Sequence, residues 1–361
     1  LLRRSVDLRT KRGGPKNPDT AFARTSLGLL MQEKGDYPAA IEEFRASAEV
    51  YREQLGDSSR RHGQLLRLLG TAEMLAGQYP KARRDLEKAV ALKTVWARDV
   101  LPGLSEADAV GFLAGLGEID PLLSVLRKIP DATPADAYAD LWATRGLVTQ
   151  TLLARRRVVA ESPEAQSLRE KLHRVRVDLA SLMRSRERSG ISFSAFQEKG
   201  QNSREAFDGL LLKRVAEKEK LERELAALSD GASRTLDRAR LTPKDLYDAL
   251  PKDHAVVEFV RVNRWPLDGT ESKPTPFYEA FVVRKELDGF VRRVDLGPAA
   301  DIDTAVQRWR ERFARQGAFL RGLTLKTPPK ATTPQLPDAQ LRKLVWEPLA
   351  AHLEGCKTVV V

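Results

Sequence analysis

Between positions 27 and 40 six residues return unchanged 42 positions later. Leu27-Gly28, Gly35, Tyr37-Pro38 and Ala40 recur as Leu69-Gly70, Gly77, Tyr79-Pro80 and Ala82. Phe44 returns as Leu86 and, one step earlier, as Leu2, while Ser47 and Gly56 have earlier counterparts in Ser5 and Gly14. A fixed step of this kind implies supersecondary units that bury their apolar faces only by stacking on one another. Each copy reads as two antiparallel helices around a turn glycine. Small residues at Gly28 and Ala40 let the helices approach closely, and large residues at Tyr37 and Phe44 fill the gap between successive pairs. Residues 1–14 then read as the second helix of a copy whose first helix is missing, and the chain is expected to be a piece of something longer.

After Trp96 the repeat fades into further helical sequence, through Leu104-Ser105-Glu106-Ala107, residues 113–126 and residues 136–157. Ser105 with Asp108 marks a helix start with an acidic first turn. Two longer helices follow. Leu168, Leu172, Val175, Leu179 and Leu182 recur at steps of three and four, as do Leu211, Val215, Lys218, Leu221, Leu225 and Leu228. A Gly/Ser/Gln-rich break over residues 189–203 joins them, so a long antiparallel helical hairpin is expected, acting as a scaffold.

From Leu241 the periodicity changes. Thr242-Pro243 is an N-cap with Pro at the first helical position, Leu246, Ala249 and Leu250 give a short apolar face, and Pro251 closes the helix. Residues 255–262, 277–283 and 290–296 are short, Val- and Phe-rich, and bounded by Pro, Gly and Asp, as strands of a covered sheet are. Long loops are expected over residues 264–276 and 327–337. Ile302, Val306, Trp309 and Phe313 form a helical stripe after an Asp301 cap. A second helix from Asp338 carries Leu341, Leu344 or Val345, Leu349 and Leu353, with a kink or break at Pro348. Thr358-Val359-Val360-Val361 is apolar on both faces and is expected in the middle of a parallel sheet, with something further to cover and extend it.

The chemistry-bearing residues are sparse. The single cysteine, Cys356, excludes an internal disulfide framework and a multi-cysteine zinc site. His352 lies four residues before it, but Gly355 between them reads as a helix stop, so Cys356 is expected to be a small semi-buried side chain. His62, His173 and His254 stand without ligand-spaced neighbours, and Gly13-Gly14 matches no phosphate loop, so no catalytic residue, metal or cofactor is assigned. Net charge is +11, from 61 basic and 50 acidic residues that are largely interspersed. That favours a solvated basic surface, with docking on a nucleic-acid assembly through Arg155-Arg156-Arg157 and Arg184, Arg186 and Arg188 as the alternative. No apolar run approaches the roughly 20 residues of a membrane span and no signal peptide opens the chain, so a cytoplasmic location without membrane partners is expected.

The repeat signature resembles the tetratricopeptide repeat, in the longer-step form of kinesin-light-chain arrays. Such arrays hold a protein or extended peptide in a concave groove, which implies Thr25, Gln32, Arg67 and Thr71 as groove-facing positions. The later segments resemble the CHAT family, bacterial caspase-like domains behind tetratricopeptide repeats. The resemblance rests on Ala249-Leu250-Pro251, Val257-Glu258-Phe259, Tyr278-Glu279-Ala280-Phe281-Val282-Val283, Asp295-Leu296-Gly297-Pro298, Ile302-Asp303, Val306-Gln307-Arg308-Trp309-Arg310 and Leu344-Val345-Trp346-Glu347-Pro348-Leu349. It implies a mainly α chain with a C-terminal α/β part: repeats over 1–95, a helical connector over 96–240, and the first, non-catalytic half of a caspase-like sheet with flanking helices over 241–361. The family's His and Cys motifs would lie in a continuation, leaving this fragment without the cysteine-peptidase activity of the whole. The alternatives are a repeat scaffold with a degenerate caspase-like domain, or the nucleic-acid-docking component above.

Overall fold

The computed structural model describes residues 1–114, 119–145, 147, 163–189, 200–228, 242–267, 273–285, 287, 289–320 and 337–361. Two compact units divide the chain. One comprises Leu1–Leu92, Glu118–Trp142 and Leu241–Val361, the other Lys93–Gly117 and Ala143–Arg240.

The first unit begins with α1 (Leu2–Gly13), α2 (Pro18–Glu33), α3 (Tyr37–Leu55), α4 (Arg60–Leu75) and α5 (Tyr79–Val100), the last of which runs on into the second. The step of 42 is written in the backbone. Gly14 and Gly56 end α1 and α3 at φ 84° and 87°, and Gly35 and Gly77 make the intervening turns at 78° and 73°, all in the left-handed region open to glycine. Asn17 and Ser59, also 42 apart, cap α2 and α4 by accepting from Asp19 N and His62 N. A Cβ on Gly28 would stand 2.7 Å from the Phe44 ring, and one on Gly70 2.7 Å from Leu86 Cγ, so the paired helices touch where the small residues are. Val6, Ala21, Leu27, Ala40, Phe44 and Leu69 share one core, which places α1 against α2 as the second helix of an earlier copy would lie.

The unit continues with α7 (Ile119–Leu126), α8 (Pro134–Arg145) and, before the first strand, α11 (Pro243–Ala249). Strands β1 (His254–Arg264), β2 (Thr275–Val283), β3 (Val291–Pro298) and β4 (Thr358–Val360) form a mixed sheet in the order β3-β2-β1-β4. β1 and β2 pair antiparallel, as do β2 and β3, and β4 runs parallel to β1. Alternation along the strands sends Val260, Val262, Phe281, Val283 and Val291 to one face, where they pack with Leu86 of α5, Leu122 of α7 and Tyr138 of α8. Tyr138 stacks on Phe281 at 5.4 Å between ring centroids. Val257, Ala280, Val282, Val294 and Leu296 face the other way, onto Ile302 of α12 (Ala299–Leu320) and Leu349 of α14 (Glu347–Leu353).

Three details depart from the sequence expectation. Asp301 sits inside the first turn of α12 rather than capping it. Pro348 does not kink a continuous helix: α13 (Pro337–Leu341) gives way to a single π turn, Arg342–Trp346, before α14. Pro348 has no N–H to offer the carbonyl four residues earlier, and the wider turn accommodates that loss. The 264–276 loop is shorter than expected because β1 continues through Arg264 and β2 starts at Thr275. Among the described residues β4 pairs with β1 at the sheet edge, with Val359 packed inward and Val360 half exposed, and the expected central place concerns a sheet extended beyond them. The 327–337 loop falls almost wholly outside the described residues.

The first sheet face also buries ions. Register shifts between Tyr278 and Glu279, where Gly297 adopts φ 98°, and this bulge sets Glu279 directly opposite Asp295. Two carboxylates side by side repel, and three guanidiniums hold them. Glu279, fully buried, accepts from Arg127 Nη1 at 3.0 Å, Arg264 Nη2 at 2.8 Å and Arg293 Nε at 2.6 Å. Asp295 accepts from Arg127 Nη2 at 3.0 Å and Arg264 Nη1 at 2.8 Å. Burial pushes the Asp295 carboxyl upward, but the Arg264 hydrogen bond and charge outweigh it and hold the group below the usual aspartate value. Elsewhere on the sheet, the buried Arg284 donates to the carbonyls of His352 and Glu354 at 3.0 and 2.8 Å, tying down the C-terminus of α14 where a cation also suits the helix dipole.

The second unit holds a 3-10 turn (Leu101–Gly103), α6 (Glu106–Ala114), α9 (Pro163–Ser189) and α10 (Gly200–Ala227). Ala165, Leu172, Val175 and Leu179 of α9 meet Leu221 and Leu225 of α10. Arg176 pairs with Glu222 and Asp178 with Arg214, partners whose numbers run in opposite directions, so α9 and α10 form the expected antiparallel hairpin. Ser105 Oγ caps α6 by accepting from Asp108 N at 3.1 Å and donates to Asp108 Oδ2 at 2.8 Å. The nearly buried Glu222 also accepts from Glu106 N at 2.9 Å, a carboxylate at a helix N-terminus.

Candidate protein-interaction surface

The positions expected from sequence to face a groove lie on α2 and α4, the first helices of their pairs. Thr25 on α2 is half buried and its hydroxyl donates to Ala21 O of its own helix at 2.9 Å. Gln32, a further one of these positions on α2, is half buried, and its Oε1 has no hydrogen-bond partner among the described residues. Arg67 on α4 holds the place equivalent to Thr25 and is half buried. Thr71 is 2% exposed and donates to Arg67 O at 2.8 Å, so its hydroxyl is already satisfied. Its neighbours Glu73 and Met74 are each 1% exposed.

The two helices therefore differ. On α4 the positions of Thr71 and Met74 are closed, Met74 lying in the core that Leu122 and Phe281 share. On α2 the stripe is open. Phe22 and Leu29 are exposed by 56% and 41%, and the steps of three, four and three from Phe22 through Thr25 and Leu29 to Gln32 put all four on one side of the helix. Sequence reasoning passed over Phe22 and Leu29. Their signal was two large apolar residues outside the periodicity of Ala21, Leu27 and Gly28, at positions that the second copy fills with Gln64 and Thr71. Isolated exposed apolar side chains are ordinary, but two on one helix stripe offer apolar burial to an incoming chain.

Ion pairs form within and between copies. Arg24 of α2 pairs with Glu43 of α3 at 3.2 Å inside one copy, and Arg45 of α3 with Glu73 of α4 at 3.0 Å joins it to the next. Burial, then the negative charge and hydrogen bond of Asp85, raise the Glu73 carboxyl to about 7 against the pull of Arg45.

The other residues singled out by sequence are placed as follows. Arg155, Arg156 and Arg157 lie outside the described residues, as do the side chains of Arg184, Arg186 and Arg188 on α9. α14 ends at Leu353 and Gly355 turns the chain at φ 80°, so His352 and Cys356 belong to different segments. His62 is buried with Nδ1 2.8 Å from Asp57 O, and His254 Nδ1 is 2.9 Å from Asp253 Oδ1, which Lys357 also pairs. Among the described residues no three of His, Cys, Asp and Glu are grouped to hold a metal ion, and no helix is long and apolar enough to cross a membrane.

No curated protein matches the chain. Residues 23–94, which run from α2 through most of α5, match the family model of the tetratricopeptide repeat, a fold that generally serves to bind proteins or peptides.

Proposed function

We propose that this chain is the partner-binding, regulatory portion of a bacterial, cytoplasmic CHAT-type caspase-like cysteine peptidase. A protein or peptide seats along α2, with its apolar side chains against Phe22 and Leu29 and polar contacts at Thr25, Gln32 and Arg67. The helical hairpin and the sheet unit pass that event to a peptidase half whose His and Cys are not among these residues. The observation that carries the reading is the open apolar stripe on a tetratricopeptide-repeat helix. The succession of repeats, helical hairpin and mixed sheet with helices on both faces supports the wider assignment, together with the residue runs of β1, β2, β3 and α14. A degenerate, non-enzymatic scaffold would use the same stripe.

Two measurements separate these readings. Quantitative affinity purification of the tagged endogenous protein is compared with its Phe22→Glu/Leu29→Glu variant, which leaves the core untouched. At least one stoichiometric partner is expected to be lost, and unchanged recovery of every partner would refute the use of α2. Top-down mass spectrometry of the endogenous protein then reads both termini. A chain continuing to a His and a Cys is expected, and a native terminus at Val361 would refute the peptidase assignment while leaving the scaffold.

A further inference from the structure

The loop between α7 and α8 borders an open depression of about 590 Å³ in the first unit. Arg127, Lys128 and Arg293 line it, with Leu126, Ile129 and Pro134 supplying apolar wall, and no carboxylate is among its described lining residues. The carboxylates lie behind. Glu279 and Asp295 face Arg127, Arg264 and Arg293, and the exposed Lys128 adds a cation on the loop, where Asp131 and Asp136, the latter accepting from Thr133 N at 2.8 Å, balance the positive charges in number. Arg293 is the most buried of the three arginines, its side chain 11% exposed. Burial holds its guanidinium below the usual arginine value even with Glu279 beside it.

Arg127 is poised differently. Its Nη1 and Nη2 each give one hydrogen bond, to Glu279 and Asp295, and a guanidinium carries five N–H donors. Its side chain is 34% exposed, so the remaining donors open toward the depression already oriented by two carboxylates. A volume near 590 Å³ lies inside the range of about 300–1,000 Å³ common for small-molecule sites and is far larger than an inorganic ion needs.

We infer that this depression binds a small organic oxyanion: a carboxylate or phosphate group against Arg127 and Lys128, and an apolar body against Ile129 and Pro134. The residues are not those of the α2 stripe, so this site stands or falls separately from partner binding by the repeats.

The test is isothermal titration calorimetry of the full chain with citrate, adenosine monophosphate and inorganic phosphate, each against sodium chloride at matched ionic strength. Saturable binding of citrate or the nucleotide is expected, with Kd below about 1 mM. Lys128→Glu should weaken it about tenfold or more without moving the melting temperature, since Lys128 is exposed and outside the core. Ile129→Glu, which puts a carboxylate in the wall, should do the same. Saturation by citrate alone assigns a carboxylate ligand, and saturation by the nucleotide assigns a phosphate one. Inorganic phosphate binding as tightly as either organic anion would overturn the apolar part of the site. The absence of saturable heat up to about 10 mM of all three probes, or saturation that both variants leave unchanged, would overturn the site itself.

Discussion

Glu279 is the residue whose loss should be felt furthest. Replacing it by Gln keeps the volume and removes the charge. One amide oxygen can still accept from Arg127 and Arg264, which keep Asp295 as well, but the amide N–H then points at Arg293 Nε, donor against donor. Arg293 is left with the Leu123 carbonyl at 2.9 Å as its described acceptor and is too buried to recruit water freely. Breaking a buried ion pair from one side costs about 3–5 kcal/mol. The two guanidiniums that retain Asp295 place Glu279→Gln at the lower end, about 3 kcal/mol. Urea unfolding followed by tryptophan fluorescence reads this directly, because Trp142 and Trp265 pack on the same core. At slopes of about 2–3 kcal/mol per molar the midpoint should fall by about 1 M with the slope unchanged. Glu279→Met/Arg293→Met leaves Arg293 no uncompensated buried charge and should recover at least half of that loss, about 1.5 kcal/mol. A Glu279→Gln midpoint within about 0.2 M of the parent would refute the claim that this carboxylate holds the three arginines.

Three further outcomes are expected. Gly28→Ala should destabilise the chain by about 1–3 kcal/mol despite the better helix propensity of alanine, because the new Cβ overlaps the Phe44 ring, and Phe44→Leu in the same chain should return part of it; urea midpoints decide. Glu73 binds its proton more tightly folded, at about 7, than at its unshifted value of 4.5. Its contribution should therefore be complete below about 4.5 and lost as pH rises through 7, so the stability advantage of wild type over Glu73→Gln falls by about 1–3 kcal/mol across that window in pH-resolved thermal melts. Thr242→Ala removes the hydroxyl that accepts from Asp245 N at 3.2 Å in a reciprocal cap and should cost about 1 kcal/mol, read as faster amide exchange across α11.

The repeats were legible because their determinants are local. Glycines at Gly35 and Gly77 and small residues at Gly28 and Gly70 each fix a turn or a contact within one helix pair, and a constant step repeats them. The strands were legible for a similar reason: Val260, Val262, Phe281 and Val283 announce a covered sheet by type and spacing alone. What stayed hidden depends on partners far away in sequence. Nothing around Leu122 or Tyr138 says that they cover the sheet, since an apolar helix face looks the same whatever it meets. The clustering of Glu279 with Arg127, Arg264 and Arg293 follows from a bulge and a crossover that no window of residues contains. Phe22 and Leu29 were missed because their copies in the second repeat are polar or buried, so the repeat pattern itself averaged them away.

The core shared by Leu86, Leu122, Tyr138, Phe281 and Val291 has a consequence for how the chain is made. About 200 residues separate Leu86 from Val291, so the core that α5 shares with α7 and α8 leaves the ribosome without the strands that complete it. At about 5–20 residues per second that interval lasts on the order of 10–40 s, long compared with helix formation and ample for a holdase to engage. Closing so long a loop carries an entropic penalty that only the completed sheet repays, and a ribosome stalled before β2 presents that core incomplete. Codon choice between α8 and β2 therefore acts on the yield of folded chain, although most of that interval belongs to the other unit.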